Sequence, residues 1–184
     1  AIDRQHATPS AQILPAATFP RESTQTTHYS VIDAEGNVVS NTYTLNFSFG
    51  SGIAVPGAGF FLNNEMDDFS VKPGVPNAFG LVGEDANAIA PGKRPLSSMT
   101  PSILRGNDRV AVLGTPGGSR ITSMVLLATI ALMDGATPQD VVALPRFHHQ
   151  YLPDVISIEQ GAFNADEQKA LEQRGHTVAA GERT

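Results

Sequence analysis

The sequence has no cysteine, which excludes disulfides, thiolate metal sites and a cysteine nucleophile while leaving reducing and oxidising compartments both open. It is also poor in charge, with 16% Asp, Glu, Lys and Arg against the usual ~25%. So sparsely charged a surface points to one that is partly covered by something else. The 12 Lys and Arg are scattered and the net charge is -6, so no basic face is visible to hold nucleic acid or an anionic membrane. Long apolar runs are missing too. The longest, residues 124–133 with Thr129 inside it, is too short to span a bilayer, and residues 1–25 lack the charged-then-apolar plan of a secretion signal. There is no internal repeat and no low-complexity tract.

What is present is a chain of 184 residues, 41% hydrophobic, enough for one domain with a real core. Residues 1–25 carry Pro9, Pro15 and Pro20, few charges and no sustained period, and read as an extended or disordered arm. From Thr27 the pattern is that of a strand. Residues 27–33 alternate, residues 34–37 (Ala-Glu-Gly-Asn) make a turn, and residues 38–46 return, a hairpin with Thr26 at its start. A Gly-rich stretch leads through Phe60-Phe61-Leu62 to Asn63-Asn64-Glu65-Met66-Asp67-Asp68, and residues 72–94, rich in Pro and Gly, read as a long ordered loop of the lid or binding kind. A second hairpin is expected over residues 102–104 and 109–113. Helices follow over residues 120–133, ended by Gly135, over residues 138–144 behind Thr137 and Pro138, and from Asn164 to about Arg174, with short strands at residues 155–158 and 176–179. A chain that stops just after a new strand is expected to continue past Thr184.

Thr26 organises the chemistry. Were the Gln25–Thr26 bond cut, Thr26 would carry its nucleophilic hydroxyl and its basic α-amine in one residue, the amine titrating near ~8. Thr44 lies on the return strand, on the face of Thr42, where its hydroxyl would orient the nucleophile or simply be that of a β-branched strand residue. Gly117-Gly118, at a strand-to-helix turn, would direct backbone N–H groups at a developing oxyanion, cradle a phosphate, or make a plain tight turn; without Gly-Lys-Ser/Thr a nucleotide loop is disfavoured. Asp67-Asp68 would serve an ammonium, a metal or a solvated turn, the metal ranking last because successive side chains diverge. Ser97-Ser98 would donate two hydroxyls to a carboxylate or sit in a loop. His148-His149 read as structural, with no His or carboxylate at a metal-ligand spacing.

Taken together and in order, Thr26-Thr27-His28-Tyr29-Ser30, Thr42-Tyr43-Thr44-Leu45-Asn46, residues 62–69 (Leu-Asn-Asn-Glu-Met-Asp-Asp-Phe), Lys93-Arg94-Pro95-Leu96-Ser97-Ser98-Met99, Pro116-Gly117-Gly118-Ser119-Arg120 and Pro145-Arg146-Phe147-His148-His149-Gln150 resemble the small, catalytic subunit of γ-glutamyltranspeptidases, from about Ser23 to Val178. The resemblance implies an α+β fold, the four-layer αββα sandwich of N-terminal-nucleophile hydrolases, with only part of it in this chain. It divides the chain into residues 1–25, the end of the large subunit, and residues 26–184, the small subunit, expected to be truncated. It implies an inactive precursor that cuts itself at Gln25–Thr26, after which Thr26 takes the γ-glutamyl group of glutathione or a related amide and passes it to water, an amino acid or a peptide. Thr44 would bond the Thr26 hydroxyl, and Gly117 and Gly118 would form the oxyanion hole. Asn46, Glu65 and Asp68 would hold the donor's α-ammonium, and Ser97 and Ser98 its α-carboxylate.

The implied partners are the large subunit, glutathione or another γ-glutamyl compound and the acceptor, with no cofactor, metal, nucleic acid or membrane insertion. The location implied is bacterial periplasmic or secreted. Two departures stand out. Glu65 replaces the Gln of some bacterial members, and Phe79, at the tip of the lid-like residues 73–85, replaces a usual Tyr. Alternatives are a γ-glutamyl or glutaryl amide hydrolase on the same scaffold, or a non-catalytic module inactive without the large subunit.

Overall fold

The computed structural model describes residues 3–12, 26–78 and 80–181; Gln25, Phe79 and most of the arm lie outside them. The chain divides into two compact units, Pro20–Val125 on the one hand and Ala1–Phe19 with Leu126–Thr184 on the other.

In the first unit, strands β1 (Thr26–Ile32) and β2 (Val38–Thr44) pair antiparallel with Thr26 opposite Thr44. Both are rich in β-branched and aromatic residues. Their turn is organised by Asp33, whose carboxylate accepts from the backbone N–H groups of Glu35 and Asn37 at 2.9 and 2.8 Å and from the Asn37 amide at 2.7 Å. The strand ends at Thr44, two residues before the alternation predicts, because Asn46 sits at φ 74° and turns the chain away. Thr26, His28 and Ser30 share one face of the hairpin with Ser40, Thr42 and Thr44. That face is polar and tied by hydroxyls: Ser40 Oγ donates to the Leu113 carbonyl at 3.0 Å, and His28 Nδ1 lies 2.9 Å from Thr42 Oγ1. The other face leaves Tyr29, Val31, Val39 and Tyr43 exposed.

Strands β3 (Ser102–Arg105) and β4 (Val110–Leu113) form the second hairpin. Within the described part of residues 72–94, Gly74 N donates to the Gly83 carbonyl and Asn77 N to the Leu81 carbonyl, each at 2.9 Å. Gly50 is required where it stands: at φ 54°, a Cβ there would come 2.1 Å from the Leu62 carbonyl oxygen. Among the described residues of this unit, Phe69, Ile121, Met124 and Val125 are the buried apolar ones.

Helix α1 (Ile121–Met133) begins one residue later than the pattern predicts, because Gly118–Arg120 form a 3-10 turn first. It is apolar on every side, with Leu126, Ile130 and Met133 exposed. A helix of that kind belongs inside a larger body of protein.

The second unit holds α2 (Pro138–Ala143) and α3 (Ala165–Gln173), each opened by a reciprocal cap, Thr137 with Asp140 and Asn164 with Glu167. Strands β5 (Phe147–His148), β6 (Ile156–Ile158) and β7 (Val178–Ala180) form one sheet in that order. The pairing of β6 with β7 is parallel, which needs the crossover that α3 supplies. At two residues, β5 is too short to leave a period in the sequence. The buried Glu159 accepts from Arg146 N at 3.1 Å and pairs with its guanidinium at 3.9 Å.

The described part of the arm is ordered. Ser10 is buried, its N–H donates to Asp154 at 2.6 Å and its hydroxyl to the Tyr151 carbonyl. His149 Nε2 also meets Asp154, at 3.2 Å. His149 has a carboxylate partner five residues on, brought to it by the turn over residues 149–154. His148 is buried and bonded to Gln150 at 3.0 Å. Among the described residues no group of three or more His, Asp and Glu is placed to hold a metal ion, and no helix is long and apolar enough to cross a membrane.

Candidate active site

The register of the first hairpin brings Thr26 and Thr44 together. Their hydroxyl oxygens are 3.2 Å apart, and Thr44 Oγ1 also accepts from Asn46 N at 2.9 Å. That second bond points the Thr44 oxygen along the chain reversal and fixes it against the Thr26 hydroxyl. Asn46, 4% exposed, adopts the left-handed conformation that Asn tolerates better than most residues. Its amide donates to the Asn64 carbonyl at 3.3 Å, and Asn64 N donates to the Leu45 carbonyl at 3.1 Å. The end of β2 is thus laced to the segment that carries Glu65 and Asp68.

Those two carboxyls project from a 3-10 turn, Glu65–Asp68, in which residues three apart eclipse. As the sequence predicts, Asp67 and Asp68 diverge. Asp67 accepts from Ala78 N at 3.1 Å, whereas Asp68 faces a cavity of about 30 Å³ that also borders Thr26, Thr44, Asn46, Glu65, Ser97, Ser98 and Gly118. Burial pushes the Asp68 carboxyl up to about 7, with the Glu65 charge beside it, a hydrogen bond to Glu65 and the Asp67 charge adding in the same direction. Burial also raises Glu65, partly offset by its hydrogen bond to Asp68.

Ser97 and Ser98 reach the cavity on an extended segment. Asn87 holds that segment, donating to the Asp68 carbonyl at 2.8 Å and accepting from Leu96 N at 2.9 Å. The Ser98 carbonyl accepts from Thr100 at 2.8 Å and Thr122 at 3.3 Å. Gly118, at φ 55°, opens the 3-10 turn beside the cavity, while Gly117, at φ 138°, caps that turn and does not border the cavity itself. Of the site residues expected from sequence, eight border one cavity, Gly117 adjoins it, and Gln25 and Phe79 lie outside the described residues.

Sequence reasoning missed Asn64, Asn87 and Thr122, which position the others. Asn64 and Asn87 sit in loops where an Asn ordinarily signals only a turn, and a Thr in a helix carries no signal of its own.

All 184 residues match the model of the family described as gamma-glutamyltranspeptidase. The chain belongs to the γ-glutamyltranspeptidase family. It is 52% identical over 180 residues to the glutathione hydrolase proenzyme of Escherichia coli, a match that covers 97% of this chain and 31% of that protein. The chain thus spans about a third of the length of the curated relatives it matches. Among solved structures it resembles the γ-glutamyltranspeptidase of Helicobacter pylori, in a threonine-to-alanine mutant, with a TM-score of 0.79 and 52% identity over 84% of each chain. An acivicin-inhibited γ-glutamyltranspeptidase, described as showing critical roles for its C-terminus in autoprocessing and catalysis, gives the same values. The fold is therefore the α+β fold of N-terminal-nucleophile hydrolases, to which this γ-glutamyltranspeptidase chain brings its hairpins, its small sheet and its helices.

Proposed function

We propose that this chain is the catalytic part of a γ-glutamyl transferase and glutathione hydrolase that activates itself by cleavage at Gln25–Thr26. The observation that carries the reading is the single cavity shared by Thr26, Thr44, Asn46, Glu65, Asp68, Ser97, Ser98 and Gly118: a nucleophile, acceptors for an ammonium and donors for a carboxylate within one small volume. The relatives' description as proenzymes and the autoprocessing of a solved relative support the cleavage step.

In that step the Thr26 hydroxyl attacks the Gln25 carbonyl carbon, the peptide C–N bond breaks, and the α-amine of Thr26 is released as the ester forms. Water then opens the ester. In turnover the free amine accepts the hydroxyl proton, Thr26 Oγ1 attacks the γ-carbonyl, and the proton passes to the leaving amine. Backbone N–H groups at Gly117 and Gly118 face the charge that develops on the carbonyl oxygen. Asn46, Glu65 and Asp68 hold the α-ammonium, and Ser97 and Ser98 the α-carboxylate. Water or an amine then takes the γ-glutamyl group from Thr26.

On the same reading residues 1–25 end the large subunit, residues 26–184 belong to the small one, and the other subunit covers the exposed apolar faces of the first hairpin and of α1. Residues 73–85 with Phe79 act as a lid, and the protein is exported to the periplasm or secreted. The test is release of the leaving group from a γ-glutamyl amide by the full-length protein, with and without an acceptor dipeptide. Acceleration by the dipeptide identifies a transferase. Release at an unchanged rate identifies a hydrolase on the same scaffold, and no release by a folded, cleaved protein overturns the proposal.

A further inference from the structure

Glu65 and Asp68 are arranged as more than a fixed pair of negative charges. The 3-10 turn sets both carboxyls at one cavity, where a hydrogen bond between them contributes to the shift of each, and two ionised carboxylates have no proton to donate. Glu65 Oε1 is buried without a partner of its own. Among the described residues the charged or titratable groups around the pair are few. Asp67 is next on the turn, Lys72 borders the adjoining hollow of about 200 Å³ together with Asp68, and Thr26 on β1 offers its α-amine once that is free. Thr44, Asn46, Ser97, Ser98 and Ser119, which complete the polar lining, carry no charge.

Building on the function proposed above, we propose that Glu65 and Asp68 share one proton in the unliganded site, that the α-ammonium of a γ-glutamyl donor displaces this proton to solvent, and that a glutaryl donor, which lacks the ammonium, leaves it in place. The exchange balances. One carboxyl O–H bond breaks, the proton goes to water, and N–H groups of the ammonium take over the two carboxylates. The cause lies in burial, which raises both carboxyls, and in like charge, which adds to the rise of Asp68 to about 7. Selection for the α-amine is therefore set by pH. Below that value γ-glutamyl affinity falls by up to about tenfold per pH unit while glutaryl affinity does not, so acid conditions open the site to deamino substrates. Gln at position 65 would donate an amide hydrogen bond to Asp68 without any shared proton, and the pH dependence would flatten.

The experiment is calorimetric titration of the processed full-length protein with L-glutamate and with glutarate at pH 6, in two buffers of different ionisation enthalpy, repeated on Glu65→Gln. Glutamate is expected to release close to one proton more than glutarate, and Glu65→Gln to abolish that difference. Equal proton release by the two ligands, or a difference that survives in Glu65→Gln, would overturn the shared proton while leaving the site's assignment standing. If folded protein binds neither ligand at any pH, the assignment of the site fails, and the shared proton with it.

Discussion

Thr44 is the residue on which the geometry of the Thr26 hydroxyl depends. It meets the Thr26 hydroxyl at 3.2 Å and is itself fixed by Asn46 N. Thr44→Val keeps the shape and removes the hydroxyl, so cleavage and turnover should both slow by about tenfold, the worth of one hydrogen bond, and Thr44→Ser should restore them. The time course of precursor cleavage on a denaturing gel reads this directly. Asp68 carries a second prediction. Its folded value of about 7 lies above the ordinary carboxyl value of 3.8, so the native state binds the proton more tightly than the unfolded chain. Stability of the unliganded protein should therefore decline as pH rises from about 4 through about 7, and Asp68→Asn should remove that decline while abolishing donor binding. Urea midpoints at several pH values measure the first effect and titration with glutamate the second. The start of β1 at Thr26 was legible because an irregular arm gives way there to a strand pattern. Asn87 was not, since its role is to join the Asp68 carbonyl to Leu96, a link between distant loops that leaves no local pattern.

At the scale of elements, the strand-to-helix turn at Gly117 is the most exacting. Gly117 lies at φ 138°, and a Cβ there would approach Met124 Cε to 2.4 Å. The methionine end can move aside, but the backbone conformation cannot be adopted cheaply by an L residue, so Gly117→Ala should cost about 1–3 kcal/mol and impair cleavage. Thermal unfolding with a parallel cleavage assay separates the two effects. The cap of α3 is an ordinary structural feature by comparison. Asn164→Ala should lower stability by about 1 kcal/mol without altering cleavage, which makes it the control for general destabilisation. Caps and turns of this kind were readable in advance because Thr137, Pro138 and Asn164 act on their own neighbours. The early end of β2 and the brief β5 were not, because a left-handed Asn46 and a sheet partner distant in sequence decide them.

For the molecule as a whole, the low charge content and the structure agree. Tyr29, Val31, Val39 and Tyr43 on one face of the hairpin, and Leu126, Ile130 and Met133 on α1, are exposed, and a chain with such faces is expected to be covered by the rest of its precursor. The α+β class was legible from alternating strands followed by capped helices, whereas the convergence of five of the six separated motifs on one cavity is a tertiary fact that only their joint resemblance to γ-glutamyltranspeptidases foreshadowed. The most direct measurement is the intact mass of the full-length protein and of its Thr26→Ala variant after purification. Wild type should appear as two chains, the smaller beginning at Thr26, and the variant as one uncut chain. A variant cut at the same bond, or an uncut wild type that still releases γ-glutamyl groups, would contradict the assignment of Thr26 as the nucleophile.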